Sequence, residues 1–571
     1  MSLGEVKKLA LQLALENASK FGKAKSSIIV GHILARDPSL KQRLEEVTKI
    51  ADEACQEVNS MSLEQIKYKL QELGPPPPVK REPKKHELEL PPNPEIPGYI
   101  LRFAPNPDGP LTLGNASPAI LCSFFANKYK GKFILRFEDT SPSIKPPLQE
   151  AYNWVIEDLK WLGIIPDEIH YQSDRLEIYY NYAEKLIKMG RAYVCTCKPE
   201  NFRKYIAKKQ PCPHREQSVE TNLKLWNMML EGKFLPGQAV FRVKTDLNHP
   251  NPAVRDWPAL RVDLSPHPRT GTKYKVWPLY NWSCAIDDHE MGVTHVIRGK
   301  EHATNEIRQA FIFNYFEWKK PITVNNGRVK LEGSVLSKSK IIRGIKSKEF
   351  LGPDDPRLGT LMALRRRGFK PEVIKKIILE LGLKPVEATL KWENIYAQNR
   401  AAIDKDTPRF FFVKDPVEVK ISNFPPVEEI ILPNHPDNKN LGNRKIKLSR
   451  NEKIFIAAED AKNLKSGEEI RLMNLFNVII EEEFSGEVVK AKFLSTEAKS
   501  RQASLKLIQW VASESSIKAK VLMPSAEYAE GLAESNLKVV APGSVVQFVR
   551  FGFVKVEDFS DNQVACVFTH N

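Results

Sequence analysis

Four residues that can bind a metal ion lie close together in the sequence. Cys195 and Cys197 are one residue apart, and Cys212 and His214 repeat that spacing after an interval of 14 residues. Three thiolates and one imidazole form a tetrahedral set of the kind found in structural zinc sites, and the interval is long enough for the chain to close around the ion. The spacing predicts a zinc site, and the alternative is a chance grouping of free thiols.

A second group of candidate residues lies in RFAPNPDGPLTLGNAS, residues 102–117. A predicted strand ends here, Gly109 favours a turn, and Gly114 lies at the start of a predicted helix. Because the first turn of a helix has unpaired N–H groups and partial positive charge, Thr112 and Asn115 would add donors to a phosphate or oxyanion site. The alternative is ordinary helix capping. The sequence has neither a P-loop motif nor GxGxxG, so a nucleotide would need this other kind of phosphate site.

A third candidate is the segment GSVLSKSKIIRG, residues 333–344. Seven basic residues and one acidic residue fall between Arg328 and Lys348. A flexible basic loop flanked by glycines can close on a triphosphate and place Lys338 where negative charge develops during nucleotidyl transfer. The alternative is a basic loop that is simply solvated.

The elements around these residues alternate between short apolar runs and helical periodicity, which favours a parallel sheet covered by helices. Strands without long helices interrupt the pattern between about residues 190 and 270. We therefore predict an α/β domain at 98–345 with an insertion that carries the cysteine cluster. The predicted strands are 99–104, 132–137 and 294–299, and the predicted helices are 114–129, 148–162, 174–189, 279–291 and 301–316.

The remaining segments differ in periodicity. Residues 1–74 show helical periodicity and predict a small helical module, whereas residues 75–97 contain nine prolines and predict an extended linker. Two further helices, at 358–368 and 371–381, are expected within 346–405. Apolar residues with a period of two then predict an all-β region at 406–571, built as barrels. The predicted fold class is multidomain α/β plus all-β.

The chain has 571 residues, of which 42% are hydrophobic and 27% are charged. This length exceeds what one hydrophobic core supports, so roughly three or four domains are expected. Since the sequence has no apolar run of about 18 residues and no signal-peptide pattern, we expect a cytoplasmic protein that does not span a membrane. The net charge of +16 favours a polyanionic partner, and nucleic acid is the obvious candidate.

Further motifs surround the loops at residues 102–117 and 333–344 in a characteristic order. The loops resemble the HIGH and KMSKS signatures of class I aminoacyl-tRNA synthetases, and most of residues 99–400 resembles the archaeal-type glutamyl-tRNA synthetase. The segment GSVVQFVRFGFVKVE also resembles the anticodon-binding β-barrel region of that family and of glutaminyl-tRNA synthetases. The motifs are RFAPNP, LRFEDT, YQSDR, CTC with CPHR, LYNW, DDHEMGVTHVIRGKEH and DDPRLGTLMALRRRG.

The resemblance implies a Rossmann-like class I catalytic domain that joins L-glutamate to tRNA through a glutamyl adenylate, with ATP and Mg²⁺. It implies that Glu138 takes the α-amino group and that Arg298 grips the side-chain carboxylate, to which a guanidinium can pair bidentately. The implied ATP-binding residues are Gly114, Leu336, Ser337 and Lys338. The implied glutamate-binding residues are Arg102, Ala104, Asn106, Glu138, Tyr280, Cys284 and Arg298.

The resemblance also implies how tRNA is bound. The insertion would meet the acceptor end, and several members of the family carry a similar zinc site there. The basic helix with Arg365, Arg366 and Arg367 would contact tRNA phosphates, and the β-barrels would read anticodon bases. Neither DNA nor a membrane is an expected partner.

One departure from the family pattern affects the predicted chemistry. Both histidines of HIGH are replaced, by Thr112 and Asn115, which can hydrogen-bond phosphate but bring no positive charge. Two alternatives stay open. A glutaminyl-tRNA synthetase is one, against which Arg298 argues because that enzyme lacks the arginine. A non-catalytic RNA-binding paralogue is the other, and only the altered HIGH motif supports it.

Overall fold

The computed structural model describes residues 2–74, 76, 88–449, 452–484, 486, 488–497, 505–560 and 562–571, which fall into two compact units divided between Glu87 and Leu88. The first unit is helical, as predicted. Ser2 and Ser62 begin its first and last helices with capping boxes, which satisfy free N–H groups at both starts. Within residues 2–74, the α-helices are Leu3–Phe21, Ser26–Arg36, Leu44–Asn59 and Leu63–Leu73.

The end of the proline-rich stretch belongs to the second unit. Leu90 lies in the main core of that unit, and the side chain of Asn93 donates to the carbonyl oxygens of Thr294 and Lys320, both at 3.1 Å. Residues 88–97 are therefore packed in place, which corrects the expectation of an extended linker for this part. Pro75 and residues 77–87 lie outside the described residues.

A five-stranded parallel sheet forms the centre of the second unit and confirms the predicted α/β fold. In spatial order its strands are Glu168–Tyr171, Lys132–Phe137, Ile100–Phe103, His295–Gly299 and Ile322–Asn326. The helices between them are Leu113–Lys128, Gln149–Trp161, Leu176–Lys188, Tyr280–Glu290 and Ala303–Tyr315. Because the strands are parallel, the loops at their carboxyl ends meet at one edge, where ligands of such sheets bind.

The insertion contains an antiparallel sheet of Ala192–Cys195, Val240–Val243, Pro258–Val262 and Val276–Pro278. It also contains the helices Pro199–Ala207 and Val219–Glu231. The second of these has 13 residues, so the expectation of an insertion without long helices was wrong. Ser218 caps its start and Gly232 ends it in the left-handed conformation, which are ordinary helix signals that the sequence carries.

Helices connect the parallel sheet to the β region. The segment predicted as a flexible basic loop is partly helical, because the helix Lys338–Lys346 begins at its central lysine. The short strands Val329–Leu331 and Ala388–Leu390 pair in parallel. In the chain, the helices Leu361–Arg366 and Pro371–Leu381 lie between these strands, and the helix Trp392–Ile403 follows them.

Two sheets dominate the C-terminal region, each with seven strands among the described residues. The two outermost strands of each sheet follow one another directly in the chain, so each sheet curves round on itself in a barrel-like way. One sheet has the spatial order Arg409–Phe410, Val545–Phe548, Gly552–Ser560, Gln563–His570, Ser516–Leu522, Tyr528–Glu534 and Phe412–Lys414. The other has the order Lys506–Ile508, Glu469–Leu472, Asn477–Glu482, Val488–Ser495, Pro416–Ser422, Ile454–Ala457 and Trp510–Ala512.

Smaller elements complete this region. A hairpin pairs Glu429–Pro433 with Asn443–Lys447, and the short helix Ala458–Lys462 follows the strand Ile454–Ala457. Across the described part of the chain, no helix combines the length and apolar character needed to cross a membrane.

Candidate active site

Lys338 lies against the loop that follows the first strand of the parallel sheet. Its Nζ donates to the carbonyl oxygen of Asn106 at 2.8 Å and lies 3.2 Å from a carboxylate oxygen of Asp108. Gly109 permits this approach, since a Cβ there would lie 3.3 Å from Cγ1 of Ile342 in the helix Lys338–Lys346, which we call the lysine helix. Burial lowers the pKa of Lys338, and Asp108 opposes this only in part. The two predicted loops therefore form one site around a partly buried ammonium group.

Thr112 caps the helix Leu113–Lys128 and is buried. Its hydroxyl accepts the backbone N–H of Asn115 and donates to Oδ1 of the same residue at 2.7 Å. Gly114 allows a close backbone approach, because a Cβ would lie 2.6 Å from the carbonyl oxygen of Val329. The side chain of Leu336 also packs near Gly114, and Ser337 is the N-cap of the lysine helix. Capping thus occupies Thr112, and phosphate contacts by these residues stay predictions.

The predicted amino acid pocket begins at the end of the first strand. Arg102 is buried, and its Nε donates to Asp288 at 3.2 Å. Ala104 and Asn106 follow in the adjoining loop, and the buried Oδ1 of Asn106 has no hydrogen-bond partner within the described residues. Glu138 follows the neighbouring strand, where burial raises its pKa although nearby arginines oppose the shift. The unpaired oxygen of Asn106, the carboxyl group of Glu138 and the buried cation Arg102 therefore lie at the same edge of the sheet.

Beneath this pocket lies a charge network that the sequence reasoning missed. The fully buried Arg136 donates to Asp288 at 2.7 Å and to Glu138 at 3.2 Å, and Asp287 accepts from Arg175 at 2.8 Å. Burial raises the pKa of Asp288, but Arg102 and Arg136 outweigh it and hold the pKa below its usual value. An arginine within the apolar run KFILRF was the available signal, because a charge buried in a strand must be paired.

The charges of this network balance. Three guanidinium groups face three carboxylates, so the network is neutral before any substrate binds, and each buried charge has a partner that offsets its desolvation. The cations are Arg102, Arg136 and Arg175, and the anions are Glu138, Asp287 and Asp288.

Tyr280 and Cys284 lie one turn apart on the helix Tyr280–Glu290. The thiol of Cys284 lies 3.7 Å from Nη2 of Arg102 and 3.4 Å from Nη2 of Arg136. Burial is the main cause that raises the pKa of Tyr280, and Arg298 is among the charges that oppose it. The structure therefore brings Tyr280 and Cys284 beside Arg102, as the pocket prediction requires.

Arg298 is the penultimate residue of the fourth strand and is 6% exposed. Its Nη1 donates to Gln309 at 2.9 Å, and its Nη2 donates to Thr323 at 3.3 Å. The nearest carboxylate is that of the half-exposed Glu306, 3.6 Å from Nη2, and Nε has no hydrogen-bond partner in the part of the chain that is described. Arg298 is thus a buried cation whose charge is only weakly compensated.

The cysteine cluster is assembled in the insertion. Sγ of Cys195 lies 3.9 Å from Sγ of Cys212, and Nδ1 of His214 lies 3.3 Å from Sγ of Cys197 and 3.9 Å from Sγ of Cys195. All four ligand atoms fall within 4.8 Å of one another. In a tetrahedron with metal–sulfur distances of about 2.3 Å, neighbouring ligand atoms are about 3.7 Å apart. The four residues therefore fit one tetrahedral ion.

Comparison with known proteins places this site in a family. Residues 100–405, more than half of the chain, match the family described as tRNA synthetases class I (E and Q), catalytic domain. The chain belongs to this family. Its barrel-like sheets agree with that result, because residues 407–495 and 507–557 match the two anticodon-binding domains described for the same synthetases.

Full-length relatives define the type of synthetase. The chain is 49% identical over 577 residues to the glutamate–tRNA ligases of Pyrococcus abyssi and Pyrococcus furiosus, and 47% identical over 578 residues to that of Thermococcus kodakarensis. Each match covers 99% of this chain and all of the relative. These comparisons confirm the resemblance to archaeal-type glutamyl-tRNA synthetases.

The three arginines of the predicted tRNA-binding helix differ in this synthetase. Arg367 is 1% exposed, and its guanidinium donates to the carbonyl oxygens of Phe568 and Thr569. It therefore joins the helical region to the last β-strand and cannot contact phosphate in this packing, which corrects the expectation for Arg367. Arg366 pairs with Glu557, whereas within the described residues the guanidinium of Arg365 meets a carboxylate only at 3.6 Å, that of Glu157.

Proposed function

We propose that this synthetase joins L-glutamate to tRNA(Glu) at the expense of ATP. The glutamate α-carboxylate attacks the α-phosphorus of ATP and pyrophosphate leaves. A hydroxyl of the terminal adenosine of tRNA then attacks the carbonyl carbon of the glutamyl adenylate, and AMP leaves. An enzyme that charges tRNA acts where translation takes place, so we place it in the cytoplasm.

No covalent enzyme intermediate is needed, so the protein contributes through position and charge. Lys338 supplies the ammonium that stabilises the phosphates of ATP, once it has exchanged the Asp108 carboxylate for them. Gly114, Leu336 and Ser337 line the same site, and Thr112 and Asn115 set the start of the adjoining helix. Mg²⁺ would arrive with ATP, because this cation prefers phosphate oxygens as ligands.

Arg298 carries the assignment of glutamate as substrate. The network under the pocket is already neutral, so Arg298 is the buried cation for which a substrate carboxylate is the natural partner. Glutamine would leave it without a compensating anion, and uncompensated buried charge is costly. Arg102, Ala104, Asn106, Glu138, Tyr280 and Cys284 would then hold the rest of the amino acid, with Glu138 binding its α-amino group.

For tRNA, we propose that the insertion meets the acceptor end and that the barrel-like sheets bind the anticodon. Arg365 is the best placed of the three helix arginines for phosphate, because its side chain is 31% exposed and its contact with the Glu157 carboxylate is long, at 3.6 Å. Arg366 would have to exchange Glu557 for a phosphate.

ATP–pyrophosphate exchange with tRNA present tests this proposal. We expect exchange that depends on glutamate and is near background with glutamine. Exchange supported mainly by glutamine would favour the glutaminyl enzyme, and no exchange with either amino acid would favour an RNA-binding paralogue.

We also propose that Cys195, Cys197, Cys212 and His214 bind one structural zinc ion. Four protein ligands leave no position for water, which is typical of structural zinc sites and not of catalytic ones. A residue that is not a ligand holds one of the ligands in place, since Nε2 of His214 lies 2.8 Å from the hydroxyl of Thr196. Such a contact fixes the ring so that Nδ1 faces the thiolates.

Metal analysis should therefore find one zinc per chain, and Cys197→Ser should lose most of it. Because structural zinc contributes directly to folding, the variant should also melt at a lower temperature. Thr196→Val is the matched control, since it removes a supporting contact and no ligand, and it should keep the ion. A zinc-free wild-type protein, or a Cys197→Ser variant with unchanged melting and aminoacylation, would contradict the proposal.

A further inference from the structure

A row of five hydrogen-bonded side chains runs from Arg298 to His302. Nη1 of Arg298 donates to Oε1 of Gln309 at 2.9 Å, and Nε2 of Gln309 donates to Oδ1 of Asn281 at 3.4 Å. Nδ2 of Asn281 donates to Oδ1 of Asn305 at 3.1 Å, and Nδ2 of Asn305 lies 3.0 Å from Nδ1 of His302. We call these five residues the amide relay.

The direction of the amide relay is dictated by its first member. A guanidinium has donors and no acceptor, so Gln309 must turn its oxygen to Arg298 and its NH₂ to Asn281. The same logic turns the oxygen of Asn281 to Gln309, and the oxygen of Asn305 to Asn281. The NH₂ of Asn305 then faces His302, whose Nδ1 must accept.

This fixes the tautomer of His302. If Nδ1 accepts, a neutral imidazole carries its proton on Nε2, so that Nε2 is a donor. Burial lowers the pKa of His302, and Arg298, Arg102 and Arg328 lower it further, whereas Glu301 raises it. The ring is therefore neutral at physiological pH, with one nitrogen committed to the amide relay.

His302 also borders the amino acid pocket. Its ring centroid lies 5.4 Å from that of Tyr280, at an angle of 48°. Tyr280 in turn lies close enough to Glu138, Arg102 and Arg298 for their charges to act on its pKa. A neutral N–H donor thus stands beside the buried cation Arg298.

We infer that His302 is a second specificity-determining residue, which donates from Nε2 to the side-chain carboxylate of the amino acid substrate while the amide relay keeps it a donor. The inference rests on the proposed function and identifies how that site rejects glutamine. A carboxylate has acceptors only and satisfies both His302 and Arg298. A carboxamide must turn its NH₂ toward one of these two donors, which leaves that donor unpaired.

The variant Asn305→Asp tests the amide relay by changing which nitrogen of His302 carries the proton. An aspartate still accepts from Asn281, but it requires a proton on Nδ1 of His302, which turns Nε2 of the neutral ring into an acceptor. The added negative charge raises the pKa of His302. At low pH the imidazolium donates from both nitrogens, and at high pH Nε2 only accepts.

We therefore expect the glutamate-to-glutamine ratio of kcat/KM, measured by ATP–pyrophosphate exchange with tRNA, to become pH-dependent in this variant. It should fall by on the order of 10-fold as the pH rises through the imidazole pKa, as expected for loss of a hydrogen bond to a charged group. The wild-type ratio should stay flat over the same range. If Asn305 had a merely structural role, the variant would have a lower kcat/KM for both substrates, and the ratio would not depend on pH.

Asn314→Asp is the matched control, because it makes the same change at an exposed position of the same helix. His302→Ala provides a second variant if Asn305→Asp melts too low to assay, and its ratio should fall about 10-fold at every pH. A flat, wild-type ratio in Asn305→Asp, or in His302→Ala, would overturn the inference. Absence of glutamate-dependent exchange in the wild type would instead reject the proposed function, so the two failures are distinguishable.

Discussion

Replacing Lys338 by alanine is expected to slow glutamyl-adenylate formation by on the order of 10²-fold or more, with the fold and glutamate affinity intact. Lys338 is the first residue of the lysine helix, and its ammonium group already faces the loop of Asn106 and Asp108. It is partly buried, so its charge acts on the ATP phosphates with little screening by water. Single-turnover measurement of adenylate formation checks this expectation.

Lys340→Ala is the control for that experiment. Lys340 lies in the same helix but is exposed, so its loss should change the rate several-fold at most. A Lys338→Ala enzyme with unchanged single-turnover activation would remove this residue from the mechanism.

Arg298→Cys is expected to lower kcat/KM for glutamate by on the order of 10²-fold or more, because a substrate carboxylate loses its buried cationic partner. Glutamine brings no charge that would be left unpaired, so kcat/KM for glutamine should fall much less. The ratio of the two substrates should therefore shift toward glutamine, even if absolute activity is poor. ATP and tRNA affinity should change little.

A purely structural role for Arg298 gives a different result. Its hydrogen bonds to Gln309 and Thr323 could simply hold the end of a strand, in which case the variant would melt earlier without changing its substrate preference. Melting curves recorded beside the kinetics separate the two cases. Lys300→Cys, which removes an exposed cation from the same segment, should leave both the ratio and the melting temperature near wild type.

Local patterns predicted most of the fold. The helix predicted at 371–381 has those bounds, and the strand predicted at 132–137 does too, because apolar periodicity and flanking Gly or Pro residues act over a few positions. The outermost strands of one barrel-like sheet, by contrast, pair across more than 100 residues, as Arg409 does with Gln547 and Phe412 with Ala533. Their register depends on tertiary packing that a local pattern does not contain.

The candidate site was predictable only in part, for the same reason. The spacing of Cys195, Cys197, Cys212 and His214 was sufficient to anticipate one cluster. The run Arg365 to Arg367 was misleading, because three adjacent arginines suggest a solvated face, yet Arg367 is buried against a strand about 200 residues later. The roles of Arg136 and Asp288 likewise depend on partners that only the folded sheet brings together.

Charging of tRNA with labelled glutamate tests the central claim most directly. With ATP and tRNA(Glu), the protein should form a tRNA ester of glutamate that is labile to mild base, while glutamine in place of glutamate should give little product. The Lys338→Ala enzyme should form the ester far more slowly under the same conditions. Failure of the wild-type protein to acylate tRNA with glutamate, or preferential acylation with glutamine, would contradict the account.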